Sequence, residues 1–259
     1  DDKYTLDEGR VFITGVQALA RLPMVQRQRD VISGLNTAGF ISGYRGSPVG
    51  GYDQQLWNAR KFLENNHIKF QPGLNEDLAA SAIWGSQQTN LFEGGKYDGV
   101  FGIWYGKGPG VDRCGDVFKH GNMSGPSKHG GVLLIAGDDH AAKSSTVPHQ
   151  SEFAFMDASI PVLNPAGVQE ILDYGVLGFA MSRFSGCWVA FKTTAENMDS
   201  SASIDVAPDR VNIEIPDFDI PDGGLHIRWP DDWIEQEHRL HNYKLKAVRA
   251  FARANKIDK

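Results

Sequence analysis

The chain has 259 residues, 41% of them hydrophobic and 10% aromatic, which is enough for one sizeable domain with a packed core. The formal net charge of −6 and the lack of a basic cluster argue against a nucleic-acid partner. Cys114 and Cys187 are too few for a disulfide framework, an iron–sulfur cluster or a four-thiolate zinc site, so we expect a reducing, cytoplasmic setting. The apolar runs have the length of strands, so neither a signal region nor a membrane span is predicted.

Helical and strand patterns alternate along most of the chain. The predicted order is an irregular lead over 1–13, two helical pieces over 14–36 separated at Pro23, strand 40–42, helix 52–65, strand 68–71, helix 75–92, strand 100–105, helix 110–119, strand 132–136, helix 152–157, strand 162–163, helix 166–183 and strand 188–192. Strands that are each followed by a helix indicate parallel pairing. The continuous apolar run Val132–Ala136 is typical of a strand covered on both faces. We therefore predict an α/β domain over 1–195, a doubly wound, mostly parallel sheet with helices on both faces.

The amino-acid composition and the hydrophobic pattern change after residue 195. Residues 196–232 are rich in Ser, Asp and Pro, and their apolar residues alternate only over 211–215, so we expect an extended linker with one edge strand. Asp232 and Glu235 form a capping pattern for a terminal amphipathic helix over 233–255. We expect residues 196–259 to lead to a domain absent from this chain.

The stretch from Phe70 to Gln88 places an acid at a helix start that follows a strand. Asn75 is a good N-cap, and Glu76 and Asp77 suit the positive end of the helix dipole. For the isolated tripeptide, dipole complementation is a sufficient explanation. A second strand exit, the loop 43–51, makes a ligand crevice of the α/β type the stronger interpretation.

Other sequence features near predicted strand ends give weaker signals. Lys107 follows the strand 100–105, in a glycine-rich turn that would let a ligand approach backbone amides. The loop that carries His140 and His149 matches no standard metal-ligand spacing, so we expect hydrogen-bonding residues there and predict no metal site. The Gly-x-Gly-x-x-Gly, P-loop and Gly-x-Ser-x-Gly patterns are absent, which disfavours common nucleotide binders and hydrolases.

Several of these residues occur together in the order of a known family. The run Gly43-Tyr44-Arg45-Gly46-Ser47-Pro48, the run Asn75–Ala80, Lys107, Ser144-Ser145 and Gln150-Ser151-Glu152 resemble the pyrimidine-binding domain of thiamine-diphosphate-dependent 2-oxoacid:ferredoxin oxidoreductases. The resemblance covers about residues 10–195 and is greatest to the large, fused indolepyruvate ferredoxin oxidoreductase-like proteins. Where the general family has Tyr-Pro-x-Thr-Pro, this chain has Arg45 and Gly46 and keeps a hydroxyl at Ser47.

The resemblance implies a role for each matching residue. Glu76 would hydrogen-bond N1′ of the cofactor's aminopyrimidine and favour the imino tautomer that removes the thiazolium C2 proton. Gly46, Ser47, Pro48 and Asn75 would border the cofactor. Ser47 would also border the substrate, and Lys107 would pair with a substrate carboxylate. The family decarboxylates a 2-oxoacid, passes electrons through iron–sulfur clusters to ferredoxin, transfers the acyl group to coenzyme A and forms homodimers.

Half of such a site is missing from the sequence. The family holds the diphosphate through Mg²⁺ on a separate domain with a Gly-Asp-Gly motif, and Gly137-Asp138-Asp139 does not match it. We therefore expect a fragment or subunit that is inactive alone and shares thiamine diphosphate with another domain. Two alternatives stay open: the pyrimidine-binding half of a non-oxidative thiamine enzyme, and a non-catalytic scaffold or dimerisation domain.

Overall fold

The computed structural model describes residues 1–143 and 147–258. Its α-helices are α1 Asp2–Thr5, α2 Gly15–Ile32, α3 Tyr52–Asn58, α4 Arg60–Asn65, α5 Glu76–Gln87, α6 Gly108–Arg113, α7 Gly115–Ser124, α8 Glu152–Asp157, α9 Val168–Ser185, α10 Ala195–Met198, α11 Trp233–Arg239 and α12 Leu245–Ala254. Its strands are β1 Arg10–Thr14, β2 Ala38–Gly43, β3 Ile68–Phe70, β4 Val100–Lys107, β5 Val132–Gly137, β6 Val162–Leu163, β7 Val189–Thr193 and β8 Ser201–Asp205.

In the described part of the chain, the central sheet has six strands in the order β3-β2-β4-β5-β7-β6. Every neighbouring pair in this sheet is parallel. Alternating β and α elements produce this arrangement because a parallel pair needs a crossover connection, which is usually a helix. The prediction of a doubly wound α/β fold is confirmed.

Helices cover both faces of the sheet. Successive residues of a strand point to opposite faces, so Ile103 and Tyr105 of β4 join one apolar core while Trp104 joins the other. The first core contains side chains of α2, α3, α4 and α9. The second contains side chains of α5, α6, α7 and α8. The helices that follow β2 and β3 therefore lie on opposite faces of the sheet.

Helix α2 is continuous through Pro23, where two helical pieces were predicted. Proline lacks the N–H group that would bond to the carbonyl of Leu19, four residues earlier. The Tyr52 hydroxyl of α3 replaces that donor, with its oxygen 3.4 Å from the Leu19 carbonyl oxygen. Helix α2 also buries Leu19, Leu22 and Pro23, so tertiary packing stabilises it. The local signal at Pro23 is thus overridden by a contact that sequence patterns do not reveal.

The polar lead and the linker pair with each other. Strand β1, predicted as part of an irregular lead, runs antiparallel to β8 in a separate two-stranded sheet. The edge strand predicted over 211–215 is wrong, since the strand of this region is β8. The exposed and buried positions of both strands alternate, which is typical of a ribbon that is covered on one side only.

Three helices predicted as single are divided. The helix over 52–65 breaks at Ala59, the helix over 110–119 becomes α6 and α7, and a π-helical turn over Leu240–Lys244 separates α11 from α12. The division of the whole chain at residues 195 and 196 stays a prediction, although Ile204 of β8 and Phe251 of α12 lie in the first apolar core. No helix among residues 1–143 and 147–258 combines the length and apolarity that crossing a bilayer requires.

Lys244 is a fully buried cation in the π-helical turn. Its Nζ donates to the carbonyl oxygens of Met123 at 2.8 Å and Asn122 at 3.3 Å, at the end of α7. Burial lowers the pKa of Lys244 from 10.5 to about 8, and nearby Cys187 opposes the change. The C-terminal segment is therefore joined to α7 by a charge that folding has removed from water.

We predict that Tyr52→Phe lowers the free energy of unfolding by about 1–2 kcal/mol, because it leaves a buried carbonyl without a donor. In a Pro23→Ala background the new N–H can serve Leu19, so the same change should cost under about 0.5 kcal/mol. Urea unfolding of the four variants measures this. Tyr4→Phe, which removes a hydroxyl 3.4 Å from Gln55, is the matched control. Equal costs in both backgrounds would contradict the replacement of the helix donor.

A second prediction concerns the pH dependence of stability. The folded-state pKa of Lys244 lies below the unfolded one, so between pH 8 and 10.5 the unfolded chain binds the extra proton and stability rises with pH. Relative to Lys244→Met, the wild type should gain up to roughly 3 kcal/mol across this window. Urea unfolding at several pH values measures the difference, with Cys187→Ser in both proteins because the charge of Lys244 also changes the pKa of Cys187. Parallel curves for the two proteins would rule out a depressed lysine.

Candidate active site

The carboxyl ends of the parallel strands define one edge of the sheet, and the candidate site residues lie along it. Strand β2 lies between β3 and β4. From β2 the chain first forms β3 on one side and then crosses back to form β4 on the other side. Such a reversal of strand order opens a crevice outside the carboxyl ends of the strands. The loop after β2, the start of α5 and helix α6 all begin at this edge.

Glu76 is the first residue of α5, and its backbone is fixed from two sides. The Asn75 side chain caps the helix, with its Oδ1 accepting from the Leu78 amide at 2.8 Å. The buried indole of Trp104 in β4 donates from Nε1 to the Glu76 carbonyl oxygen at 2.9 Å. Upstream, the Gly73 amide donates to the Gly43 carbonyl at the end of β2. The position of the acid is therefore set by the central sheet.

The side chain of Glu76 packs against helix α6. A Cβ added at Gly110 would lie 2.5 Å from Glu76 Cγ, so only glycine leaves room for this carboxylate. The Glu76 side chain is 14% exposed, and its Oε2 lies 3.4 Å from Nη1 of Arg113, whose side chain is 57% exposed. The carboxylate thus lies in a seat formed by α6 and not in bulk water.

The negative charge of this region reaches a buried thiol. Burial raises the pKa of Cys114 at the start of α7, and the charges of Asp77 and Glu76 raise it further, while Arg113 opposes them. The thiol is therefore protonated at neutral pH and is a poor nucleophile. Of the groups around it, the Glu76 carboxylate is the one placed for proton chemistry at the crevice.

The loop after β2 lies against the ends of β4 and β5. A Cβ added at Gly46 would lie 2.8 Å from Cβ of Lys107, and one added at Gly137 would lie 3.0 Å from Cδ of Pro48. Pro48 is buried and Ser47 is exposed at the crevice, joined by a cis peptide bond. Gly46 and Lys107 are therefore brought together, as are Asn75 and Glu76. No hydrogen bond joins Ser47 to Glu76 in the described part of the chain.

A charged cluster that sequence patterns did not indicate lies on the other side of α6. Asp138, after β5, is buried and accepts from both the amide and the hydroxyl of Ser151. Lys192 of β7 lies 3.8 Å from Asp138 and contacts Glu152. Burial favours a raised pKa for Glu152, but the hydrogen bond from Lys192 and the local charges bring it below its ordinary value. This network joins Ser151 and Glu152 to the ends of β5 and β7.

His149 connects this network to α6. Its ring occupies the space where a Cβ at Gly108 would lie, 2.2 Å from Nδ1. Its Nε2 lies 2.8 Å from Oδ2 of Asp112, and its Nδ1 lies 3.7 Å from Oδ1 of Asp138. His149 is thus a hydrogen-bonding loop residue, whereas His140 is exposed. Ser144 and Ser145 lie outside the described residues.

Sequence reasoning missed the residues that hold Glu76. Gly110 and Arg113 are three residues apart in the turn and short helix after β4, a spacing that places both on one helix face. That spacing was the available signal, but without knowing that α5 packs there it indicates nothing about an acid. Within residues 1–143 and 147–258, no three His, Cys, Asp or Glu side chains converge as a metal-ligand set.

A groove of about 860 Å³ lies away from this site. It borders the exposed edge of β3, and its walls include Trp57, Phe70 and Ala82. The groove therefore neighbours the back of α5 and not the seat of Glu76.

The fold and the crevice define the chain as a doubly wound α/β protein with an opening at the carboxyl edge of its parallel sheet. Among solved structures, the chain is similar to the 2-oxoglutarate:ferredoxin oxidoreductase from Magnetococcus marinus, determined with 2-oxoglutarate, coenzyme A and succinyl-CoA bound. The TM-score is 0.62 at 14% sequence identity, over 95% of this chain and 46% of that chain. The likeness shows the fold, and this chain spans about half the length of that protein.

Sequence comparison is less informative. No family model matches the chain. Among curated proteins, the chain is similar to large ribosomal subunit protein uL3 from Phytoplasma mali (strain AT), with 30% identity over 82 residues, or 32% of this chain and 35% of that protein. This match spans about a third of the ribosomal protein and shows no family membership.

We predict that Lys192→Met lowers the free energy of unfolding by about 3 kcal/mol, since it leaves buried Asp138 and its neighbour Glu152 without their cation. Lys69→Met on the edge strand, where the lysine is exposed, is the control and should cost under about 0.5 kcal/mol. Chemical unfolding of both variants measures the difference. A loss no larger than that of the control would mean that Lys192 does not support the loop after β5.

Proposed function

We propose that the chain is the pyrimidine-binding part of a thiamine-diphosphate-dependent 2-oxoacid:ferredoxin oxidoreductase and that Glu76 is the acid that activates the cofactor. The observation that carries the proposal is the seat of Glu76: a mostly buried carboxylate at a helix start, fixed by Trp104 and Gly110, at the switch point of a parallel sheet. The likeness of the fold to that of the 2-oxoglutarate:ferredoxin oxidoreductase supports the enzyme family in this proposal.

The residues present fit an aminopyrimidine ring. A carboxylate that exchanges a hydrogen bond with a ring nitrogen works best where water is largely excluded and its orientation is fixed. Glu76 meets both conditions, since it is 14% exposed and packed on Gly110. When bound, thiamine diphosphate supplies the electron sink for decarboxylation. The chain's own part is to orient the ring, with Glu76 holding the shared proton at a carboxylate oxygen.

The loop Gly46-Ser47-Pro48 would border the ring and the substrate. Pro48 is buried against the end of β5, which fixes the loop, while the exposed Ser47 hydroxyl can meet a ligand. Lys107, whose Cβ lies beside Gly46, would direct its ammonium toward a substrate carboxylate at the end of β4. Asn75 would act through the helix cap that positions Glu76, since its side-chain oxygen is occupied by the Leu78 amide.

The remaining parts of the reaction would come from elsewhere in the assembly. Because the chain spans about half of the similar oxidoreductase, we propose that another domain holds the diphosphate through Mg²⁺ and that iron–sulfur clusters pass electrons to ferredoxin. The Magnetococcus enzyme was solved with a 2-oxoacid and coenzyme A, which supports both as ligands here. The resemblance to the fused proteins favours an indolepyruvate-like substrate and a homodimer, and the low cysteine content favours a cytoplasmic location.

The test is the Glu76→Gln variant of the assembled enzyme, because glutamine keeps the shape of the side chain but cannot exchange the proton. Turnover of the 2-oxoacid should fall by roughly two to four orders of magnitude. Asp77→Asn, one residue further along the same helix, is the matched control and should keep turnover within about threefold of wild type. Binding of thiamine diphosphate is titrated in parallel.

Three outcomes separate the possible functions. Full turnover by Glu76→Gln would contradict the proposed role of Glu76 and favour a scaffold. A non-oxidative thiamine enzyme would be indicated if Glu76→Gln loses turnover and the wild type releases carbon dioxide without an electron acceptor. Loss in Glu76→Gln, retention in Asp77→Asn and a need for ferredoxin or another electron acceptor would support the proposal.

A further inference from the structure

Two glycines of helix α6 each leave a space that a side chain from another part of the protein fills. At Gly108 the occupant is the ring of His149, which is bonded to Asp112. At Gly110 the occupant is Glu76, which lies beside Arg113. In each case a glycine provides the space, and a charged residue three or four positions later on the same helix faces the side chain that fills it. Arg113 is thus the helix residue that contacts Glu76, just as Asp112 is the one that contacts His149.

The geometry gives Arg113 a restraining role. Its Nη1 lies 3.4 Å from Oε2 of Glu76, at the long end of a charge-assisted hydrogen bond, and more than half of its side chain is exposed. Such a contact contributes little to folding because solvent screens it. It can still select one orientation of a carboxylate whose other side is limited by Gly110. The titratable and charged groups around Glu76 are Asp77, the next residue of its own helix, Arg113 on α6, and the neutral thiol of Cys114, on which the charges of Glu76, Asp77 and Arg113 act.

We propose that Arg113 is a positioning residue that holds the Glu76 carboxylate against Gly110 in the orientation needed at the cofactor ring. This inference rests on the proposed function of Glu76. Arg113 acts through Glu76 and contacts neither substrate nor cofactor. Removal of the guanidinium should therefore change the catalytic step and leave substrate binding nearly intact.

The first experiment uses Arg113→Met in the assembled enzyme, with Arg113→Lys as the conservative variant. A displacement of about 1 Å can cost about a hundredfold in rate, so kcat should fall on the order of tenfold to a hundredfold while KM for the 2-oxoacid changes by less than about threefold. Arg113→Lys should recover part of the loss.

Two controls separate this effect from a loss of structure. Arg60→Met removes an arginine from an exposed ion pair with Glu64 far along the chain, and its kinetics should match wild type. Gly110→Ala should lower kcat as Arg113→Met does, whereas Gly115→Ala should not, since a Cβ there meets nothing within 4 Å. The near-ultraviolet circular dichroism of bound thiamine diphosphate should change in Arg113→Met and Gly110→Ala alone.

The decisive measurement is a double-mutant cycle with Glu76→Gln. If Arg113 acts through Glu76, Arg113→Met should cause no further loss in the Glu76→Gln background. Multiplicative losses, a rise in KM with kcat unchanged, or kinetics like those of Arg60→Met would each overturn the inference. An inactive Glu76→Gln with a fully active Arg113→Met refutes the role of Arg113 alone, whereas a fully active Glu76→Gln refutes the proposed function itself.

Discussion

The parallel pairing of β2 and β4 is the constraint from which the candidate site follows. Parallel neighbours end at the same edge, and the chain leaves one strand toward β3 and the other toward β5, so the loops that follow diverge. Backbone hydrogen bonds then fix the segments that border the crevice between these loops. The Tyr44 amide donates to the Tyr105 carbonyl, and the Gly73 amide to the Gly43 carbonyl, which ties the segment before α5 to the end of β2. The loop that leads to Glu76 is therefore anchored by backbone hydrogen bonds to the end of β2.

Helix α6 separates two kinds of polar site. On one side, Asp138, Ser151, Lys192 and Glu152 satisfy one another inside the protein, as buried charges must. On the other side, the Glu76 carboxylate has, among residues 1–143 and 147–258, one long polar contact, to the half-exposed Arg113. A carboxylate with so few partners can still accept hydrogen bonds from a ligand, whereas both carboxylate oxygens of Asp138 already accept from Ser151. The difference in saturation distinguishes the candidate reactive group from the structural one, although both are acids at the same sheet edge.

The sequence patterns predicted the central sheet well because its inner strands are buried at nearly every position and the helices between them have their own signals. Val132–Gly137 is buried at every position, so its apolar run could be assigned without its neighbours. Features made by distant residues could not be predicted. Pro23 is tolerated because of a hydroxyl that follows it by 29 positions, and β1 pairs with a strand almost 200 residues away. Lys244 gave no signal, because an isolated lysine in a helical pattern is normally exposed.

The same distinction explains what could be predicted of the site. Asn75, Glu76 and the end of β4 are local features, since an N-cap and a strand exit are each encoded within a few residues. The seat is not local: Gly110 and Arg113 acquire meaning only when α5 packs beside α6, 34 and 37 residues along the chain. A glycine after a strand is ordinarily explained by the turn it permits, but Gly110 is needed for the volume it leaves. The absence of a side chain at Gly110 leaves a space that fixes the position of the Glu76 carboxylate. Such a carboxylate needs little rearrangement when a ligand binds, which is the condition under which a fixed dipole or charge accelerates a reaction.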